Sequence, residues 1–274
     1  MPQLLPTADG ATLSVHVEGP AKANSDGPPV VLIHGWSMSG RFFRRQLPDL
    51  AARRTVVVPD LRGHGRSEKV LHGHTVPTYA ADLASILAGL EIEQPVLVGW
   101  SMGAMVAYEF LRQGGPGSVS GIVIVDQPPS DFAWPGYEFG GFTAEGLLEM
   151  GEQVQIDQAG VVSEFAQLML HEPDPETVAW MTSEILQVPP AIASAILLDQ
   201  TLRDYRDFLP QIEAPALVLF GEDDKLTSPR AGQYIADAIP EAKLQTFPHS
   251  SHCPFWEEAA AFNHAVESFL DEVG

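Results

Sequence analysis

Five residues, glycine–tryptophan–serine–methionine–glycine from Gly99 to Gly103, constrain this chain more than any other stretch. They stand between a short apolar run at 95–98, which reads as the end of a buried strand, and an amphipathic helical pattern at 102–113. A turn that sharp, from strand directly into helix, forces its central residue into a sparsely populated backbone region. Glycines on both sides remove the Cβ atoms that would collide there. The context therefore predicts a serine, Ser101, whose Oγ stands clear above a sheet edge. The N–H of Met102, at the helix start, would face any carbonyl that this oxygen attacks.

The rest of the chain repeats the strand-then-helix rhythm. Apolar or β-branched runs at 30–34, 55–59, 96–100, 121–126, 216–220 and 244–248 alternate with helical patterns at 79–90, 102–113, 230–239 and 257–270. That alternation is the pattern of an α/β fold with a mostly parallel sheet. A stretch of alternating polarity at 12–18 reads as an antiparallel edge strand. Between 127 and 210 the rhythm stops: an aromatic, Gly/Pro-rich loop at 131–142 leads into helical patterns at 144–170, 175–187 and 190–203. Asp174-Pro175-Glu176 is a helix start, with a capping carboxylate and a proline in the first turn. The expected organisation is a core of residues 1–126 and 211–274, with a helical cap of residues 127–210 inserted after strand 6.

Two further motifs give the chain a family look. His34-Gly35-Trp36 follows directly on the apolar run 30–33, and Asp60-Leu61-Arg62-Gly63-His64-Gly65-Arg66-Ser67 follows the next strand. With the serine turn in its strand–helix context, the chain resembles the α/β-hydrolase family over nearly all its length, and in particular its carboxylesterases, lactonases and cofactor-free perhydrolases. The resemblance implies a second oxyanion-hole amide at Trp36 beside that of Met102. It implies a general base at His252, in a loop before the final helix, in preference to His249. It also implies an acid at Asp224, in the Gly221-Glu222-Asp223-Asp224 segment after a strand. Asp223 and Glu222 are neighbouring alternatives, and Asp126, at the end of the preceding strand, is where some relatives carry the acid. The order serine, aspartate, histidine along the chain agrees with the fold. The 60–67 loop and His34 read as structural, and His64, His72 and His74 as loop or surface residues.

Other chemistries find little footing. The sole cysteine, Cys253, rules out an internal disulfide and reads as a small packed residue rather than a nucleophile. No zinc-type motif or dinucleotide fingerprint is present, so neither metal nor cofactor is expected. The opening residues lack a basic start with an apolar core, and no apolar run approaches a membrane span, so a cytoplasmic protein is expected. The formal net charge of −21 is lopsided. Residues 1–112 balance ten Lys/Arg with ten Asp/Glu, whereas residues 113–274 carry five against 26. Solubility alone accounts for such a surface, and its field repels nucleic acid and anionic membranes.

A seryl nucleophile with an oxyanion hole implies acyl transfer. A serine at this turn speaks against dehalogenases and epoxide hydrolases of the same fold, which resemble it but carry aspartate there. The cap holds 14 acidic residues against Arg203 and Arg206, which disfavours anionic substrates. The expected substrate is a neutral, hydrophobic, small to medium ester, or a lactone, bound by Trp36, Trp134, Phe139 and Phe142. A perhydrolase, or a ligand receptor with slow hydrolysis, uses the same residues. A monomer or homodimer is expected.

Overall fold

The strands that carry the site are buried on both faces, and this is why they read as continuous apolar runs. The computed structural model describes residues 2–21 and 24–274. Its strands are β1 (Gln3–Pro6), β2 (Thr12–Glu18), β3 (Val30–Ile33), β4 (Val56–Pro59), β5 (Val96–Trp100), β6 (Gly121–Val125), β7 (Ala216–Gly221) and β8 (Ala242–Phe247). They form one sheet in the order β1-β2-β4-β3-β5-β6-β7-β8. The first two strands run antiparallel and the rest parallel. β1 escapes sequence reading because its four residues neither alternate in polarity nor form a buried run; Leu4 is exposed. β8, an edge strand with alternating exposure, starts earlier than the apolar run suggests and ends at Phe247. His249 lies beyond the strand and sits exposed in the following turn.

Side chains alternate between two cores. Val31 and Ile33 of β3 pack with α2 (Val76–Gly89), α3 (Met102–Gly114) and α8 (Arg230–Ala238), whereas Val30 and Leu32 pack with Phe42, Phe43 and the last helix, α10 (Ala259–Val273). The period of two along the strand thus sorts each run into both layers.

Between β6 and β7 lie α4 (Ala144–Ile156), α5 (Gln158–Leu168), α6 (Pro175–Ile185) and α7 (Pro190–Thr201). The single helical pattern at 144–170 is broken at Asp157, whose φ of −141° ends α4 and whose carboxylate caps α5 by accepting from Gly160 N–H at 3.0 Å. Asp174 caps α6 through Thr177 N–H at 2.9 Å, as its sequence signal implied. Trp180 of α6 stacks on Trp256 of the core at 4.9 Å, and the Arg44 guanidinium lies 4.3 Å and 4.5 Å from the two rings. Cation–π contacts of this kind contribute about 0.5–2 kcal/mol each and fasten α6 to the segment around Trp256. Arg44→Ala is expected to lower unfolding free energy by about 1–2 kcal/mol, read as a shifted urea midpoint. Among the described residues, no single helix is long and apolar enough to cross a membrane.

Candidate active site

At the carboxyl end of β5 the chain turns into α3 through Ser101, held at φ 53° and ψ −129°. Such a conformation costs about 1–3 kcal/mol and persists only where the surroundings enforce it. Here two glycines make the enforcement possible. A Cβ on Gly99 would meet Ala104 Cα at 2.5 Å, and one on Gly103 would meet the Ile33 carbonyl oxygen at 2.1 Å. Both obstacles are backbone and cannot rotate away. Gly103→Ala is accordingly expected to destabilise the fold by about 3 kcal/mol, measured by urea unfolding.

The His34-Gly35-Trp36 turn approaches the serine from β3. Two buried imidazoles brace it. Leu61 N–H donates to His34 Nε2 at 3.0 Å, so His34 carries its proton on Nδ1 and donates to Gly35 O at 2.9 Å. His64 repeats the logic: Ser37 N–H donates to its Nε2 at 3.1 Å, and Nδ1 donates to Arg62 O at 2.8 Å. Burial lowers both imidazoles below the usual histidine range and preserves the neutral tautomers that these bonds need. His64 is thus a buried structural residue, not a surface one. Asp60 ties the same loop, accepting from Gly40 N–H at 2.8 Å and Arg66 N–H at 2.9 Å. The backbone N–H groups of Trp36 and Met102 donate to no protein acceptor among the described residues, which leaves both free for a ligand oxygen.

His252 lies in the loop after β8. Trp100 Nε1–H donates to its carbonyl at 2.8 Å, and Glu257 accepts from Ser251 N–H at 2.8 Å. Its Nδ1–H donates to Asp224 Oδ2 at 2.9 Å, leaving Nε2 unprotonated to act as a base. Asp224 Oδ1 accepts from Leu226 N–H at 2.8 Å and Thr227 N–H at 3.2 Å. Burial raises this carboxyl, but the His252 charge and the hydrogen bonds outweigh it and leave it below the usual range. Asp223 instead faces outward and pairs with His171 at 2.8 Å, and Glu222 accepts from Thr246 Oγ1 at 2.6 Å. The structure therefore brings Asp224, and neither neighbour, to the imidazole.

Asp126 comes close as well. Its Oδ1 accepts from Gly221 N–H at 2.8 Å, and its buried Oδ2 has no partner among the described residues. Asp126, Asp224 and His252 bring oxygen and nitrogen atoms within 4.8 Å of one another. Asp224 Oδ2 already takes two donors, from His252 and Thr227, which fits a hydrogen-bonded chain better than a cation site. Burial pushes the Asp126 carboxyl well above the usual range, and the Asp224 charge adds to the effect. A carboxyl raised in the folded state adds stability that is complete below the unfolded value of about 3.9 and lost as pH rises toward the folded value. Asp126→Asn removes that loss. Relative to wild type, the variant is expected to gain about 1.4 kcal/mol per pH unit between pH 5 and the folded value, read from unfolding midpoints across that range.

Ser101 and His252 open onto a cavity of about 740 Å³ that is also lined from α4, α5 and α7. Trp36, Phe139, Phe142, Met150, Phe165 and Leu197 supply its apolar wall. Trp134 does not line it: its indole N–H donates to Ser130 Oγ at 2.9 Å and its ring packs on Phe132 at 4.7 Å, so its predicted contact with substrate is corrected. The Pro135-Gly136 turn carries the chain onward, and Phe139 and Phe142, not Trp134, reach the cavity.

Residues 28–259 match the family described as alpha/beta hydrolase fold. The chain belongs to the α/β-hydrolase family. It is 30% identical over 257 residues to the pimeloyl-[acyl-carrier protein] methyl ester esterase of Chromobacterium violaceum, covering 89% of this chain and 95% of that one. Its fold is shared with the esterase EaEST of Exiguobacterium antarcticum, at a TM-score of 0.92 and 24% identity, with 98% of this chain and 99% of that one covered. It is also similar to Est816, described as an N-acyl homoserine lactone degrading enzyme, at a TM-score of 0.82 and 26% identity over 97% of this chain and 100% of that one. With these relatives the protein is a carboxylic ester hydrolase of the α/β-hydrolase family.

Sequence reasoning missed the polar part of the cavity: Gln127, Asp131 and Gln200. Gln127 could have been singled out, since it follows the carboxyl end of a central parallel strand, where such folds bind ligands. Gln200 carried no signal; it reaches the cavity from the last turns of α7, a helix too apolar all round for its facing to be read.

Proposed function

We propose that this hydrolase cleaves carboxylic esters of small to medium, neutral, hydrophobic substrates through an acyl-enzyme on Ser101. The observation that carries the reading is a single cavity, apolar for most of its wall, onto which both Ser101 and the Asp224-held His252 open. Ser101 Oγ attacks the ester carbonyl while His252 Nε2 takes its proton. The oxyanion lies between the free N–H groups of Trp36 and Met102, each of which contributes about 3 kcal/mol to the transition state. His252 returns the proton to the departing alkoxide, and the alcohol leaves. Water then attacks the acyl-enzyme with His252 again as base, and the acid product releases Ser101. Asp224 holds the imidazole in the tautomer that both halves need.

The cavity also favours the neutral substrate. Its wall includes Asp131, Glu149, Asp157 and Glu164 and, among the described residues, no lysine or arginine. A carboxylate on the substrate would enter an unfavourable field. The likeness to Est816 supports lactone opening as a second reading, because a cyclic ester needs the same nucleophile, hole and base.

The test is a p-nitrophenyl ester series from acetate to dodecanoate, with monomethyl adipate compared against dimethyl adipate at low salt. Turnover with a chain-length optimum, and a dimethyl ester preferred over the charged monoester by about ten-fold, is expected. Inactivity on every ester and on γ- and δ-lactones, or preference for the charged substrate, would sink the proposal.

A further inference from the structure

Besides its apolar wall, the cavity has a polar part that includes Gln127, Asp131 and Gln200. Asp131 stands in the loop that leaves β6, and this loop is pinned on both sides. Tyr205 N–H donates to Pro129 O at 2.9 Å, Ser130 Oγ–H to Arg203 O at 2.7 Å, and Phe142 N–H to Asp131 O at 2.9 Å. The carboxylate is fixed in turn: Gln127 Nε2 donates to Oδ1 at 2.6 Å and Gln200 Nε2 to Oδ2 at 3.3 Å. Each glutamine thereby commits an N–H to Asp131.

Gln200 is 6% exposed, lines the cavity, and its buried Oε1 has no hydrogen-bond partner among the described residues. A buried amide oxygen left without a donor keeps its desolvation penalty uncompensated, so its retention at a binding cavity asks what donor it meets. Asp131 shows part of its surface to the same cavity, and a carboxylate there has lone pairs beyond the two in use. Among the described residues, no lysine or arginine lines the cavity to satisfy them. An acceptor pair held rigidly by its own neighbours discriminates strongly, because a substrate lacking the donor leaves it unpaired.

We propose that Asp131 and Gln200 form a subsite for a hydrogen-bond-donating group on the substrate, a hydroxyl or a protonated amine, so that the preferred esters carry such a group at a distance from the scissile bond. This rests on the ester-hydrolase reading of Ser101 and specifies its substrate class. The apolar wall takes the hydrocarbon part, and the acceptor pair takes the donor. A hydroxyl needs only the two acceptors, whereas an ammonium group would draw also on the carboxylates of Glu149, Asp157 and Glu164, which line the same cavity.

The experiment compares kcat/KM for methyl alkanoates of four to eight carbons with their ω-hydroxy and ω-amino counterparts. The parallel series of alkyl, ω-hydroxyalkyl and ω-aminoalkyl acetates covers the case in which the alcohol enters the subsite. At one chain length or more, the hydroxy or amino ester is expected to exceed its unsubstituted parent by about ten-fold or more. That ratio is expected to collapse toward unity in Asp131→Asn, and in Gln200→Leu should the first variant fail to fold. The ratio is taken within each protein, so a general loss of rate does not enter it. Hydroxy preference alone identifies a neutral donor, and amino preference a cation; either supports the subsite. Hydrolysis of the plain esters with no preference in either series, or a preference unchanged in both variants, overturns the subsite while leaving the esterase reading intact. Failure to hydrolyse any ester overturns the esterase reading itself.

Discussion

Replacing Ser101 with alanine is expected to lower kcat for a p-nitrophenyl ester by about 10⁴–10⁶-fold. The loss is large because the remaining groups act through the missing oxygen: His252 then has no nucleophile to deprotonate, and the hole receives no acyl intermediate. What survives is binding and oxyanion polarisation of attack by water, a residual of about 10³ over the uncatalysed rate. The variant's stability should scarcely change, since alanine keeps the same Cβ and the same strained φ of 53°. Ser101→Gly separates the two effects. It abolishes activity equally, but relieves the strain and is expected to gain about 1 kcal/mol in unfolding free energy after the entropic cost of glycine. A catalytic rate in Ser101→Ala within ten-fold of wild type would remove Ser101 from the mechanism.

Much of this site was legible because its constraints are local. The serine turn needs glycine where Ile33 O and Ala104 approach, and the chain writes that need as two glycines four residues apart. The parallel strands are apolar on both faces, so their runs stand out without alignment. The histidine loop follows from being next to the last strand, although the half-exposed pattern of β8 hides its first two residues from the apolar run at 244–248. What could not be read was long-range pairing. The contact of Gln200 with Asp131 spans 69 residues, and no local pattern encodes it. Trp134 and Phe139 are likewise indistinguishable by composition. Only the path of the loop decides that one packs on Phe132 and the other reaches the cavity.

The acid also required three dimensions, and Asp224→Asn should show why the site contains two aspartates. Asparagine at this position offers an N–H to His252 Nδ1, favours the wrong tautomer, and is expected to cost about 10³–10⁴-fold in kcat. Asp126 then enters. Its elevated carboxyl owes most to burial and next to the Asp224 charge, so neutralising Asp224 lets Asp126 ionise at lower pH than before. Its Oδ2 is buried without a partner among the described residues, and one of its carboxylate oxygens lies within 4.8 Å of an Asp224 oxygen and a His252 ring nitrogen. Asp126 is thus placed to hold the imidazolium in part. Residual activity of Asp224→Asn is expected to rise with pH as Asp126 ionises, and the double variant Asp224→Asn with Asp126→Asn to fall about ten-fold further and lose that rise. The single variant Asp126→Asn, with Asp224 in place, should cost far less than Asp224→Asn. Equal rates in the double variant and Asp224→Asn, at every pH from 6 to 9, would assign the residual activity to the oxyanion hole alone. Asp126 would then be a buried, protonated support for the Gly221 backbone.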